Sequence, residues 1–170
     1  RYDYEIIVVD DFSKDKSLEK ISEFDSLVRV LKNKKNYGLA FSRNAGLKKA
    51  KGKYVVMLDS DDFLAENFLF ISGLFLESNA WDAAATDYFK VNLKGVKINK
   101  VSAKKNPIAC GILFKKKSLE SIKFYNQKLR LHEEVDLMKR FLKKYKLGYI
   151  NLPLYRYTKH RKSLTGIKKK

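Results

Sequence analysis

Apolar positions fall along this chain in two rhythms. "YEIIVVDD" (4–11) is a continuous apolar run closing on two acids, the pattern of a strand buried on both faces of a parallel sheet. "SKDKSLEKISEF" (13–24) then sets Leu18, Ile21 and Phe24 on one side, which predicts a short helix with Ser13 or Asp15 as its cap. "LVRVL" (27–31) reads as a second strand and "KNKKNYG" as a polar loop. "LAFSRNAGLKKA" (39–50) reads as a second helix with Leu39, Ala40, Leu47 and Ala50 inward, and "KYVVMLD" as a third strand. Strand, helix, strand, helix, strand at this spacing predicts right-handed crossovers and a parallel sheet.

After residue 62 the pattern changes. "FLAENFLFISGLFLESN" predicts an apolar helix, "WDAAATDYFKVNLKGVKINKV" a hairpin turning at Lys94-Gly95, and "PIACGILF" a further buried strand. "EEVDLMKRFLKKYK" returns to helical period with Val135, Met138, Leu142 and Tyr145 on one face, and "GYINL" leads as a last strand into the aromatic, basic tail "PLYRYTKHRKSLTGIKKK". There is no internal repeat and no linker rich in Pro, Gly or Ser. The expectation is a single α/β domain over 1–170, with a mostly parallel sheet flanked by helices and a mixed sheet in its second half.

Composition narrows the partners. At 170 residues with 45% hydrophobic content the chain is long enough to bury a core without disulfides. Cys110 is the single cysteine, so no internal disulfide forms, which suits a reducing compartment; its expected place is the core. Lys+Arg 37 against Asp+Glu 19 gives a formal net charge of +18, enough to draw the protein to nucleic acid, an anionic membrane face or phosphorylated ligands. No apolar stretch reaches the 18 residues of a membrane span, because Glu66 and Asn67 interrupt the greasiest one.

The acids gather at strand exits. Asp10-Asp11 and Asp59-Ser60-Asp61-Asp62 both follow apolar runs, where open α/β sheets bind their ligands. Like charges so close repel, by about 1 kcal/mol per pair at 4 Å in water and more at lower dielectric. An Asp-x-Asp at such an exit suits Mg²⁺ or Mn²⁺, hard ions that take one or two carboxylates and complete their shell with phosphate and water. The alternative is that Asp61 or Asp62 caps the next helix and the others are solvated.

In order and spacing, "EIIVVDDFSKD", "NYGLAFSRNAGLKKAKGKYVVMLDSDD", "PIACGILFKK" and "LRLHEEVDLMKRFLKKYKLGYINLPLYRYTKHRKS" resemble the family 2 glycosyltransferases with a GT-A fold, a Rossmann-related α/β class. The run from Asn36 to Asp62 carries the most specific part. The resemblance implies that Asp10 and Asp11 meet the base and ribose of a nucleotide sugar, that Arg43 lies near the nucleotide, and that Asp61 is the direct metal ligand. Asp59 then faces the ribose or sugar and is the second candidate metal ligand. It implies a catalytic base at Glu134, with Glu133 second, although acids in a first helical turn are favoured by the dipole whatever the function. His160 falls where relatives carry basic groups near the diphosphate; a solvated surface histidine is the plainer reading.

The implied function is inverting transfer of a sugar from a nucleotide-diphosphate sugar, a UDP-sugar, to a hydroxyl of a glycan or glycolipid acceptor in bacterial surface polysaccharide, lipooligosaccharide or capsule synthesis. On this reading residues 1–80 form the nucleotide-sugar half, 81–155 the acceptor-side half and 156–170 a basic tail. The protein is expected in the cytoplasm, peripheral on the inner face of the membrane, and nucleic acid is not an expected partner. Relatives begin with one more strand and helix than this chain shows, so a truncated, inactive remnant is an alternative. A nucleotidyltransferase and a basic nucleic-acid-binding protein are the others; neither a glycine-rich phosphate loop nor a zinc-ligand spacing is visible for them.

Overall fold

The computed structural model describes residues 3–160. Two compact units share the chain, which crosses between them after Val55, Phe114 and Lys144.

The first unit holds residues up to Val55 together with Lys115–Lys144. Its strands β1 (Ile6–Asp10) and β2 (Val28–Lys32) pair in parallel, Ile6 opposite Val28 and Asp10 opposite Lys32, joined through α1 (Ser17–Ser22). Asp15, rather than Ser13, meets the opening of α1, accepting the Ser17 N–H at 3.0 Å. The helix buries no residue completely, and Phe24 lies beyond its end and 53% exposed. Helix α2 (Leu39–Lys49) buries Ala40, Ser42, Asn44 and Leu47. Leu39, read as inward, is exposed, and two polar side chains take the buried face in its stead. At Gly46 a Cβ would come 3.3 Å from Val9 Cγ2, so a small residue lets α2 approach β1.

The second unit, Val56–Phe114 with the residues from Tyr145 on, is built on a mixed sheet. β3 (Tyr54–Val56) carries the chain into it; β4 (Phe63–Leu64), helix α3 (Phe68–Ser78), β5 (Ala83–Val91), β6 (Lys97–Val101) and β7 (Ile112–Lys115) follow. After α4 (Lys116–Ser121) and α5 (Glu133–Leu142) in the first unit, β8 (Leu147–Thr158) closes the described chain. The strand order is β3-β7-β5-β8-β4, with β6 on β5. β5 runs parallel to β8 and antiparallel to β6 and β7.

The structure departs from the sequence expectations at three elements. β3 is hydrogen-bonded in the sheet of β7 and not in that of β1 and β2. The helix expected from residue 63 starts at Phe68, because Phe63 and Leu64 pair with Arg156 and Tyr155 as a strand. On α5 the buried side is Glu133, Leu137 and Phe141, a 4-residue spacing, while Val135 and Leu142 are exposed. The hairpin turns where expected: Asn92 Oδ1 accepts the Lys94 and Val96 N–H groups, and Gly95 takes φ 75°, a conformation glycine adopts without strain.

β8 reaches further than the five residues predicted for it, because Pro153 sits at a register shift against β5, where a missing N–H does not break the ladder. The core of this unit gathers Tyr88, Val101, Cys110 and Tyr155, with Leu64, Ile108 and Tyr157 packed on it.

Candidate active site

In the first unit the two acids closing β1 have separate tasks. Asp10 is buried, 7% exposed, and its Oδ1 accepts the Ser13 N–H at 3.2 Å. Asp11 Oδ1 accepts from Asn33 Nδ2 and from the Tyr37 N–H, each at 2.8 Å, and its Oδ2 accepts from the Gly38 N–H at 2.7 Å. Gly38 is the N-cap of α2 at φ 90°. One carboxylate from β1 therefore ties the polar loop to the helix start, where a negative charge also meets the positive end of the dipole. Burial pushes the Asp11 carboxyl up, but the bonds from Tyr37, Asn33, Gly38 and Ser42 outweigh it and hold it below the ordinary range.

Arg43, on α2, reaches α5. Its Nη1 lies 2.6 Å from Glu134 Oε1 and 3.9 Å from Glu133 Oε1, and the guanidinium stands 5.4 Å from the Tyr125 ring centroid. Asn44 fixes Tyr125 in place by a reciprocal pair: its Nδ2 donates to Tyr125 O at 2.9 Å and its Oδ1 accepts the Tyr125 N–H at 3.0 Å. The two glutamates are not equivalent. The Glu133 side chain is 9% exposed and that of Glu134 38%, so Glu134 is the carboxylate a ligand can reach while Arg43 holds its orientation. Sequence reasoning set Arg43 by the nucleotide and Glu134 by the acceptor without seeing that they are partners. They stand 91 positions apart, and no local signal links them.

The second unit resolves the crowding of acids after β3 by giving each carboxylate a different donor. Asp59 Oδ2 accepts from Cys110 Sγ at 3.0 Å. Asp61 Oδ2 lies 2.8 Å from His160 Nε2. Asp62 turns inward, its Oδ2 accepting from Tyr155 OH at 2.6 Å and its Oδ1 from the Thr158 N–H at 2.7 Å. Neither Asp61 nor Asp62 caps α3, whose N-cap is Asn67. Burial pushes the Asp62 carboxyl up, aided by the charges of Asp61 and Asp59, while the bonds from Thr158 and Tyr155 pull it back only in part. Burial also drives the Tyr155 phenol up, so its proton stays on oxygen and is donated to Asp62.

Asp61 and His160 form a partly exposed pair, with side chains 40% and 21% exposed. Among the described residues no group of three or more His, Cys, Asp or Glu side chains gathers as a closed metal cage. The Asp61 carboxylate fits a hard ion of the Mn²⁺ or Mg²⁺ kind that takes its remaining ligands from phosphate and water, and the imidazole beside it is a softer donor that suits Mn²⁺ better than Mg²⁺. Cys110, expected as a plain core residue, is buried and also donates to Asp59. Tyr155 and Thr158, which anchor Asp62, carry no motif that points to them.

These strands, helices and acid-bearing turns define an α/β protein of the glycosyltransferase type. The model of the glycosyl transferase family 2 matches residues 1–131, more than half of the chain, and the protein belongs to that family. Asp10, Asp11, Arg43, Asp59 and Asp61 fall inside the matched stretch; Glu133, Glu134 and His160 lie beyond it. An uncharacterized glycosyltransferase of Rickettsia felis is 40% identical over 100 residues, covering 58% of this chain and 16% of that protein. The poly(ribitol-phosphate) beta-N-acetylglucosaminyltransferase TarP of Staphylococcus aureus is 49% identical over 70 residues, 39% of this chain and 21% of TarP. The structure is similar to that of S. aureus TarS 1-349 in complex with UDP-GlcNAc, with a TM-score of 0.81 at 20% identity, over 98% of this chain and 52% of that one. That likeness establishes the GT-A-like fold. The chain thus spans about half of TarS 1-349 and less of the other two.

Proposed function

We propose that this chain carries the donor-binding and catalytic residues of an inverting transferase that moves a sugar from a UDP-sugar to a hydroxyl of a surface polysaccharide or its lipid-linked precursor. The pairing of Asp61 with His160, 99 residues apart in sequence and 2.8 Å apart in the fold, carries the reading. It joins the Asp-x-Asp of the family stretch to an imidazole of the far strand end, a donor set suited to a divalent ion beside a diphosphate. TarP's glycosyl acceptor and the UDP-GlcNAc bound by TarS are the relatives' own chemistry and support the choice of donor and acceptor class.

In this mechanism Glu134 takes the proton of the acceptor hydroxyl as it attacks the anomeric carbon, a task worth about 10² to 10⁴ in rate. Arg43 holds Glu134 in orientation. Asp10 and Asp11 serve the nucleoside, Asp11 chiefly by fixing the loop at 33–38 and Asp10 by closing β1. Asp61 and His160 would hold the divalent ion, with Asp59 as the neighbouring carboxylate of the Asp-x-Asp. When bound, Mn²⁺ or Mg²⁺ supplies charge neutralisation for the departing diphosphate. We assign the work to the cytoplasmic face of the membrane, with the basic tail as an attachment; residues 161–170 lie outside the described residues.

Calorimetric titration with UDP, with and without Mn²⁺, and turnover of a panel of UDP-sugars test the assignment. Asp61→Asn and His160→Ala are expected to abolish the metal dependence of UDP binding. Glu134→Gln is expected to keep UDP binding and lose about 10²-fold or more in turnover. Turnover of Glu134→Gln within a few-fold of the unaltered chain overturns the base assignment.

A further inference from the structure

The β5–β6 hairpin presents to solvent what a globular surface ordinarily hides. Leu93 is 75% exposed, Ile98 60% and Val96 58%, three branched aliphatic residues within six positions. Hydrogen bonds close the turn that carries them. Asn92 N–H donates to Val96 O, the Gly95 N–H donates to Asn92 O, and Asn92 Oδ1 takes the Lys94 and Val96 N–H groups. Ile98 is the extra residue of a bulge: Lys90 faces Asn99 and Val91 faces Lys97, which leaves Ile98 with no opposite number. A bulge re-aims a side chain and twists the strand end away from the sheet. β6 has no strand beyond it among the described residues, so this edge stays open.

Along the sequence of the hairpin, charge has one sign. From Tyr88 to Phe114 the chain holds Lys90, Lys94, Lys97, Lys100, Lys104 and Lys105 and no aspartate or glutamate. The nearest acid in sequence, Asp87, is buried and taken up by Lys100 Nζ at 3.2 Å and by the Ala103 N–H at 3.0 Å, while Asp61, beside the cleft that Leu93 and Lys94 share with His160, is paired with that histidine. Lys97 Nζ lies over the Phe89 ring, 4.3 Å from its centroid. Lysines alone are explained as guards of an open sheet edge. A guarded edge does not also need Leu93 and Val96 at the tip of a hydrogen-bonded turn. Apolar side chains ringed by cations, with long lysine stems able to lie along apolar matter and keep their heads in water, suit one kind of partner.

We propose that the hairpin tip, Leu93 with Val96 and Ile98, inserts into the headgroup region of an anionic bilayer while Lys90, Lys94 and Lys97 pair with lipid phosphates. The commitment to lipid rests on charge complementarity: the tip offers apolar area for the acyl boundary and cations for the layer above it. A polyanion such as nucleic acid or an anionic glycan has use for the second alone. The inference rests on the membrane placement proposed above, and adds a structured contact to the tail invoked there. It sits beside the pair at Asp61, since Leu93 and Lys94 line one cleft with Lys159 and His160.

Flotation of the full chain with phosphatidylcholine vesicles, alone and mixed with phosphatidylglycerol, tests it across a salt series. The unaltered chain is expected on the mixed vesicles. Leu93→Ser/Val96→Ser/Ile98→Ser is expected to lose at least tenfold in partitioning with its salt slope kept. Lys90→Gln/Lys94→Gln/Lys97→Gln is expected to lose about fivefold per lysine and to flatten the slope. Val96→Trp in the background Trp81→Phe is expected to shift its emission to the blue on vesicles and be quenched by brominated lipid. Binding by the triple serine variant equal to that of the unaltered chain, with an introduced indole that stays water-exposed, overturns the hairpin contact and leaves the tail as the anchor. Absence of vesicle binding by every form overturns the membrane placement as well. Equal binding of lipid-free polyanion by the unaltered and serine forms, without vesicle binding, assigns the lysines to a polymer and overturns the proposal.

Discussion

Asp11 and Asp62 are the same residue type at two strand exits, and their surroundings treat charge oppositely. Asp11 accepts three hydrogen bonds and is held below its ordinary value of 3.8; Asp62 is buried and raised above it. The linkage follows from sign. A carboxyl lowered on folding contributes stability that is present above 3.8 and disappears as pH falls through the folded value, whereas a raised one costs stability as pH rises past 3.8. Asp11→Asn is therefore expected to destabilise the protein at neutral pH, because an amide oxygen cannot accept all three donors. The deficit should shrink as acid is added below pH 3.8. Urea denaturation at a series of pH values measures it, and a deficit that stays constant into acid contradicts the role given to the Asp11 charge.

At the scale of elements, legibility followed how local the cause was. The hairpin was readable because Lys94-Gly95 and the alternating strands around it are contiguous, and β1, β2 and α2 were readable because their apolar spacing is. The side of α5 is not legible in this way: Val135, Met138, Leu142 and Tyr145 make a good helical stripe, but burial is decided by which side meets the rest of the fold, and that side carries Leu137 and Phe141. β4 was hidden for the same reason, since Phe63 and Leu64 become a strand through β8, which lies about ninety residues further on. The acid pairs and Arg43 stood out as residue types at motif spacing, while their partners Cys110, Tyr155, Thr158 and Tyr125 did not. One tertiary contact of this kind can be tested at an element. Gly148 in β8 lies under Trp81, so close that a Cβ there would overlap the indole. Trp81 stacks on Phe75 at 6.0 Å between centroids. Gly148→Ala is expected to displace the indole and cost about 1 to 3 kcal/mol, the range of overpacked sites. Trp81 is the single tryptophan, so a red-shifted emission together with a lower Tm reports the change. An unshifted spectrum at unchanged Tm contradicts it.

For the whole molecule the dominant quantity is the net charge of +18 over 170 residues. Self-repulsion of that size acts against the folded state, and salt relieves it. The attractive pairs respond unequally. Lys16–Glu19 spans 3.9 Å with side chains 80% and 70% exposed and contributes little even at low salt. Arg43–Glu134, at 2.6 Å with the arginine side chain 7% exposed, is screened far less than exposed charges are. Raising sodium chloride from about 0.01 M to 0.1 M shortens the Debye length from about 30 Å to about 10 Å. Repulsion between distant lysines is thereby damped, while the close, half-buried pair keeps more of its attraction. Tm is expected to rise over that interval in scanning calorimetry. Lys104→Glu/Lys105→Glu, which places acids at two exposed positions of the lysine-only stretch and lowers the net charge by four, is expected to raise Tm in low salt and to reduce the gain from added salt. A Tm that falls with salt, or a charge-reversed form that gains as much from salt as the unaltered chain, would mean that local pairs and not global repulsion set the electrostatic balance of the fold.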